Sequence, residues 1–300
     1  MRGVSAESPL AMIGANGFVG RAVYDRLSHL PNPFLGMDLN TDGTRPIRKT
    51  NILDLADLTR AIPTNSTLIH LAGPVAGSFG KDFEAAWRLQ VEGTSNVLHA
   101  ASRKECRRIV FASSYHVYMA HHVDEVVDEN TEIRLGDLDP FGSAKLISEQ
   151  MARSFCAHRG IELVILRFGS VYGLGKCTNL MSELFSAYSL GNTVEIWGRG
   201  RRTNHYVDLD DLAQACLLAL SVRPGLYNVL HPQRATVSEV CNIAEQTLGV
   251  KTMFHPELKE RPSFPTIRSD KFMTETGWVP SSLFESFNRL SRRIPHDRVA

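Results

Sequence analysis

Seven residues near the amino terminus, Gly14-Ala15-Asn16-Gly17-Phe18-Val19-Gly20, constrain the fold of this chain more than any other stretch. They follow a short apolar run, 10–13, and open a segment with helical spacing, so the glycines sit where a strand turns into a helix. Each glycine has its own task. Gly14 permits the tight turn, Gly17 lets the backbone approach a pyrophosphate and Gly20 lets the helix pack on the strand. The free N–H groups of the first helical turn, at Phe18 and Val19, face the negative charge. The segment predicts a dinucleotide site opening a βαβ unit.

A carboxylate follows the next apolar run, 33–37. Asp38 lies 18 residues past Gly20, where it can accept from both hydroxyls of a ribose and repel a 2′-phosphate. No basic residue follows until Arg45, so the reading is NAD rather than NADP.

The remaining pattern extends the βαβ unit. Strands are predicted at 10–13, 33–37, 67–71, 108–112 and 162–167, apolar on both faces as strands between two helix layers should be. Helices are predicted at 18–30, 82–102 and 141–157, the second carrying Phe83, Ala86, Trp87, Val91 and Val97 near one stripe. Right-handed crossovers then give an α/β fold, a Rossmann-like doubly wound parallel sheet. After Tyr172 the composition shifts to Gly, Arg and aromatic residues, with proline at 224, 232, 256, 262, 265 and 280. Residues 1–170 therefore read as the NAD-binding domain and 171–300 as mainly a smaller C-terminal substrate lobe, from which some segments can return to the first domain.

Composition excludes several function classes. Lys+Arg 33 against Asp+Glu 32 leaves a net charge of +1, which offers no cationic field to nucleic acid or anionic lipid. The five cysteines, Cys106, Cys156, Cys177, Cys216 and Cys241, are widely spaced, so neither a disulfide framework nor a zinc ribbon is expected. Paired histidines His121 and His122 lack further ligands for a metal. No apolar stretch approaches the roughly 18 to 20 residues that span a bilayer, and the amino terminus lacks a secretory pattern. The expectation is a cytoplasmic protein without a metal.

Further motifs follow in order: Asp54-Leu55; His70-Leu71-Ala72-Gly73; Ser113-Ser114-Tyr115-His116-Val117-Tyr118; Arg167-Phe168-Gly169-Ser170-Val171-Tyr172-Gly173; Tyr206-Val207-Asp208 continuing to Ala213; and Gly277-Trp278-Val279-Pro280. With the glycine turn, this succession resembles the extended short-chain dehydrogenase/reductase family, the NAD-dependent epimerases and dehydratases of nucleotide-linked sugars. The resemblance covers nearly the whole chain. It implies Asp54 and Leu55 near the adenine, and Leu71, Ala72 and Gly73 lining the cofactor.

The family's chemistry rests on a Ser or Thr and a Tyr-x-x-x-Lys, in which the Tyr takes a proton from a sugar hydroxyl as hydride leaves for NAD. Here Ser114 occupies the first position and Lys145 the last, but the segment reads Phe141-Gly142-Ser143-Ala144-Lys145. Phe141 carries no proton. Three explanations stand: a Tyr→Phe change made to trap a substrate, a neighbouring group that does the proton work, or binding kept and catalysis given up. Lys145 retains a role in each, since its ammonium can bond the nicotinamide ribose. For the second explanation, His116 is a candidate acid or base, against the alternative of a strand-end histidine bonded to backbone. Tyr115 is the other candidate, against a packing role. Neither supplies the carboxylate pair that follows the catalytic Thr in 4,6-dehydratases, which counts against ordinary dehydration.

On the substrate side the resemblance implies an Arg two residues before the aromatic of the Tyr206 segment; Asn204 stands there, with Arg202 shifted by two. Arg261 falls at another phosphate contact, Ser170 where Asn is common, and Gln90 replaces an Asn behind the site. A shifted Arg and a substrate without a pyrophosphate both remain open. The expectation is hydride transfer at a ring carbon, usually C4, of a nucleotide-activated sugar, leading to epimerisation or ketone reduction. The rivals are an NAD-binding sensor or scaffold, and a dehydratase using Tyr115 or His116. Relatives pair two long helices, so the resemblance implies a homodimer through 82–102 and 141–157, with Ala85, Ala86, Leu146 and Met151 available to an apolar seam; burial against the chain's own sheet explains the same residues.

Overall fold

Apolar runs bounded by turn residues become parallel strands, and the segments between them become the helices that cover the sheet. The computed structural model describes residues 8–175 and 179–294. In chain order the first elements are β1 (Leu10–Ile13), α1 (Phe18–Leu27), β2 (Phe34–Asp38), β3 (Ile47–Lys49), α2 (Leu55–Ala61) and β4 (Thr67–His70). Then come α3 (Ala76–Lys81), α4 (Phe83–Arg103), β5 (Arg108–Ser114), β6 (Val126–Val127), α5 (Pro140–Arg159), β7 (Glu162–Phe168) and β8 (Ser170–Tyr172). The rest includes α6 (Leu180–Leu190), β9 (Val194–Trp197), β10 (Thr203–Asn204), β11 (Tyr206–Asp208), α7 (Leu209–Leu218) and β12 (Gly225–Val229).

Seven strands make the central sheet in the order β12-β7-β5-β4-β1-β2-β3, every neighbouring pair parallel. The order reverses between β1 and β4, so a crevice opens outside their carboxyl ends. Alternation along each strand divides the core into two layers. Met12, Ile69, Val110, Val164 and Leu166 face α1 and α7. Ala11, Ile13, Leu68, Ile109, Phe111 and Ile165 face Leu58, Val97, Leu98, Ala101, Ala152 and Cys156 of α2, α4 and α5.

Two sheet strands escaped the sequence reading. β3 has three residues on the sheet edge, too few for a periodic signal. β12 is supplied by the second half of the chain and pairs with β7 from Gly225↔Val164 to Val229↔Phe168. α7 precedes it and buries Leu212, Ala213, Ala215 and Cys216 beside Val23, Tyr24 and Leu27 of α1. The 171–300 segment thus completes the sheet before building its own core, where Met181, Leu184, Phe185, Val194, Ile196, Val240 and Phe287 are buried together. Helix starts follow their caps: Asp82 accepts from the Ala85 N–H and Asp139 from the Gly142 N–H, with Pro140 at the first position of α5.

Of the residues named for a dimer seam, most are accounted for by burial against the chain's own core. Ala86 and Leu146 are 4% and 8% exposed, buried inside this chain. Met151 packs partly on the second core layer, and of the four only Ala85 is exposed. Among the described residues four cysteines are free and buried; Cys177 lies outside them. Among the described residues, no helix is long and apolar enough to cross a membrane, and no group of three or more His, Cys, Asp or Glu could hold a metal.

Candidate cofactor and active site

The glycine turn is closed by the contacts that its sequence requires. Gly14 has φ +88°, and a Cβ there would lie 2.5 Å from the Ala72 nitrogen; a Cβ on Gly20 would lie 1.8 Å from the Gly14 oxygen. Neither position accepts a side chain. Gly17 is the N-cap of α1 and contributes no side-chain cap, so the first-turn N–H groups remain available to an anion.

Asp38 ends β2 beside this turn. Its two carboxylate oxygens each accept one backbone N–H, from Asn16 at 2.9 Å and Asn40 at 2.9 Å, which fixes the group and leaves lone pairs on both oxygens for a ribose. The Asn16 amide nitrogen in turn donates to the Asn40 carbonyl at 2.9 Å, and its buried Oδ1 has no partner. Asp54, expected near an adenine, is exposed, and its carboxylate caps α2 by accepting from the Asp57 N–H at 2.9 Å; Leu55 leans on the second core layer.

The carboxyl end of β4 runs from the glycine turn to Lys145 on α5. The Leu71 N–H donates to the Ile13 carbonyl at 2.9 Å, Ala72 backs Gly14, and a Cβ on Gly73 would meet Gln90 Oε1 at 2.9 Å and Lys145 Nζ at 3.5 Å. Gln90 Oε1 is itself buried without a partner. Lys145 is 6% exposed and donates to the Ala112 carbonyl at 3.0 Å. Burial pushes its pKa down to about 8, against an opposing pull from Glu149. The Lys145 ammonium lies 5.7 Å from the Phe111 ring centre and 5.8 Å from that of Phe141.

Ser114 ends β5, and its hydroxyl accepts the His116 N–H at 3.2 Å. Phe141 stands half-buried in the first turn of α5, its ring centre 6.0 Å from Phe79 and 5.1 Å from His116. His116 Nδ1 lies 3.0 Å from Asp139 Oδ2, and Asp139 Oδ1 accepts the Gly142 N–H at 2.6 Å. Burial works to raise the Asp139 carboxyl, but the His116 contact and the Gly142 N–H prevail and hold it below the usual range. Asp139 is the partner that the sequence reading missed. Its place before Pro140 announces a helix cap but not a histidine 23 residues away.

Tyr115, a candidate for proton work, turns into the core instead. It is 4% exposed, stacked on Phe264 at 4.2 Å, and its hydroxyl donates to Asn204 Oδ1 at 2.7 Å, with Ser170 also in hydrogen-bond contact. Burial raises its pKa far above that of a free phenol, which removes it as a base at neutral pH. Asn204 follows it inward: 4% exposed, its amide oxygen also takes the His205 N–H at 2.9 Å. Arg202 is half-buried and its Nε donates to the Pro262 carbonyl at 3.1 Å, while Arg261 is exposed. The backbone of 199–202 wraps the Glu260 carboxylate, which accepts from the N–H groups of Arg199, Arg201 and Arg202 at 2.5, 3.2 and 2.7 Å. No local spacing foretells that contact.

Residues 10–229 match the profile of the NAD-dependent epimerase/dehydratase family, a span that contains the glycine turn, Asp38, Ser114 and Lys145. The chain belongs to that family. A UDP-glucose 4-epimerase of Azospirillum brasilense is 27% identical over 92% of this chain and 88% of that one. A putative UDP-glucose 4-epimerase of Methanocaldococcus jannaschii is 26% identical over 64% of each chain, so this chain spans just under two thirds of that relative. Among solved structures, MoeE5 in complex with UDP-glucuronic acid and NAD is 25% identical with a TM-score of 0.84, covering 95% of this chain and 99% of that one. NAD is the cofactor of this family member, and the residues present fit it: a cradle that admits only glycine, a fixed carboxylate at the end of β2, and unpartnered acceptors on Asn16 and Gln90.

Proposed function

We propose that this family member catalyses NAD-dependent hydride transfer at a ring carbon of a nucleotide-activated sugar, of the epimerase or 4-ketoreductase type. One observation carries the reading: Gly73 places the end of β4 against Lys145, which joins the dinucleotide cradle to the catalytic helix beside Ser114. Bound NAD supplies the hydride acceptor. The protein's own groups do the rest: Asp38 holds a ribose, Lys145 directs its ammonium to the second ribose, and Ser114 bonds a sugar hydroxyl. Arg202, Arg261 and Ser170 are assigned to substrate binding, and the relatives named for UDP-glucose support a nucleoside diphosphate as the ligand.

Phe141 favours one second reading, an NAD-binding protein without turnover, because a phenyl ring neither donates nor accepts a proton. Incubation of the protein and of Phe141→Tyr with a panel of UDP- and dTDP-sugars separates the two. Turnover by the parent supports the enzyme, turnover by Phe141→Tyr alone supports a binding protein that has lost its base, and neither binding nor turnover by either contradicts both. For the assembly we infer a homodimer through the outer faces of α4 and α5, where Phe83 and Ile147 are 49% and 43% exposed. Light scattering that returns only a species near 33.3 kDa removes it.

A further inference from the structure

We propose that the imidazole of His116, oriented by Asp139, is the group that takes and returns the substrate proton in this active site. The proposal rests on the hydride-transfer reading above and supplies the acid-base partner that Phe141 lacks.

The neighbouring groups are engaged elsewhere. The Tyr115 hydroxyl is bound to Asn204, and Lys145 holds its proton against the Ala112 carbonyl. Tyr118, one helical turn on, accepts from Arg167 at 2.6 Å and donates to the Asp128 carbonyl at 2.8 Å. His116 differs from them. Its side chain is 17% exposed, and its ring touches Phe141, the residue at the vacant phenol position.

Asp139 makes the imidazole a directed base. A carboxylate 3.0 Å from Nδ1 keeps the proton on that nitrogen and leaves the lone pair on Nε2. Asp139 is in turn fixed by the Gly142 N–H on the helix that carries Phe141 and Lys145, so base, orienting group and ammonium share one frame. The charged and titratable groups around His116 are Asp139 in direct contact, Tyr115 against its ring, and Lys145 beyond Phe141.

The step balances. The substrate O–H bond breaks and an Nε2–H bond forms; the electron pair left on oxygen closes the carbonyl as hydride departs to the oxidised dinucleotide. Asp139 balances the resulting imidazolium, and in the reverse direction Nε2–H returns the proton.

The test compares the parent, His116→Gln, Asp139→Asn and His116→Gln/Phe141→Tyr, with folding checked by thermal melts. Turnover of the nucleotide-sugar panel is paired with the rate at which diethyl pyrocarbonate labels His116, read by peptide mass spectrometry. The expected result is a loss of about 100-fold or more in kcat for His116→Gln with KM little changed, and recovery of at least about tenfold in the double variant. Asp139→Asn should weaken turnover and shift its acid limb. Labelling of the parent should slow about tenfold when NAD and the bound sugar nucleotide are present, an effect a buried structural histidine would not show. His116→Gln that retains turnover within about threefold overturns the proposal and leaves the hydride reading standing. A parent that binds ligands without turnover overturns the proposal, since no proton is then taken or returned, and so does a labelling rate that ligands leave unchanged. No ligand binding at all removes the hydride reading and this proposal with it.

Discussion

Lys145 is a charge kept where burial disfavours it, and that sets a measurable signature. Its pKa is pushed to about 8 from 10.5, so between those values the unfolded chain holds a proton that the folded chain has released. Stability contributed by this group therefore rises with pH across that window, and the burial penalty is in full force below pH 8. Denaturant unfolding of the parent and of Lys145→Met should diverge accordingly: the parent gains relative to the variant from pH 8 to 10.5, and equal slopes would contradict the assignment. A second prediction concerns Gly20. A Cβ there would sit 1.8 Å from the Gly14 oxygen, so Gly20→Ala should cost about 1–3 kcal/mol in unfolding and weaken NAD binding at least about tenfold by calorimetry. At this scale the glycine turn and Asp38 stood out by their spacing after predicted strands, whereas Ser114 and Lys145 were singled out only through the family resemblance, and the roles given to them belong to the proposal. The pairs His116–Asp139 and Tyr115–Asn204 were not legible, because their partners lie 23 and 89 residues apart and meet only through packing.

Between elements, one buried ion pair ties α5 to β7. Glu149 and Arg167 are 0% and 3% exposed at their side chains, with the Arg167 Nε and Nη2 donating to the two carboxylate oxygens at 2.9 and 2.7 Å. Ser113 also donates to Glu149, at 2.5 Å, so the pair anchors the strand that ends in Ser114. Glu149→Ala strands a buried guanidinium and should cost about 3–5 kcal/mol, measured by urea unfolding. The double change Glu149→Leu/Arg167→Met should cost less than the single one. A single variant as stable as the parent would show that the pair holds nothing. The long helices and buried strands were readable because their apolar periods are strong. The carboxyl end of α1 and the edge strand β3 were not: α1 starts at Phe18 as expected but stops at Leu27 rather than residue 30, with a turn and proline at 31 after it.

In the whole molecule, a strand from the second half closes the sheet of the first. β12 pairs along its own full length with residues Val164 to Phe168 of β7, and α7 covers α1. A chain ending at residue 170 would expose that strand edge and the apolar face of α1. It should aggregate or fail to give a dispersed amide spectrum, whereas soluble, cooperative folding of that fragment would contradict the role given to β12. Sequence composition led to an expected change of lobe near Tyr172, with segments free to return, but could not name β12 as the returning strand, because a five-residue strand beginning with glycine carries no periodic signal of its own.

The central claim is that the cradle at Gly14–Gly20 and the carboxylate of Asp38 hold NAD with its reactive end at Lys145. Calorimetric titration of the purified chain, after bound nucleotide has been extracted and identified, tests it most directly. The account predicts saturable binding of NAD or its release on extraction, at least about tenfold weaker binding of NADP, and weakened NAD binding in Lys145→Met. No heat with either oxidised or reduced coenzyme, and none carried through purification, would contradict it.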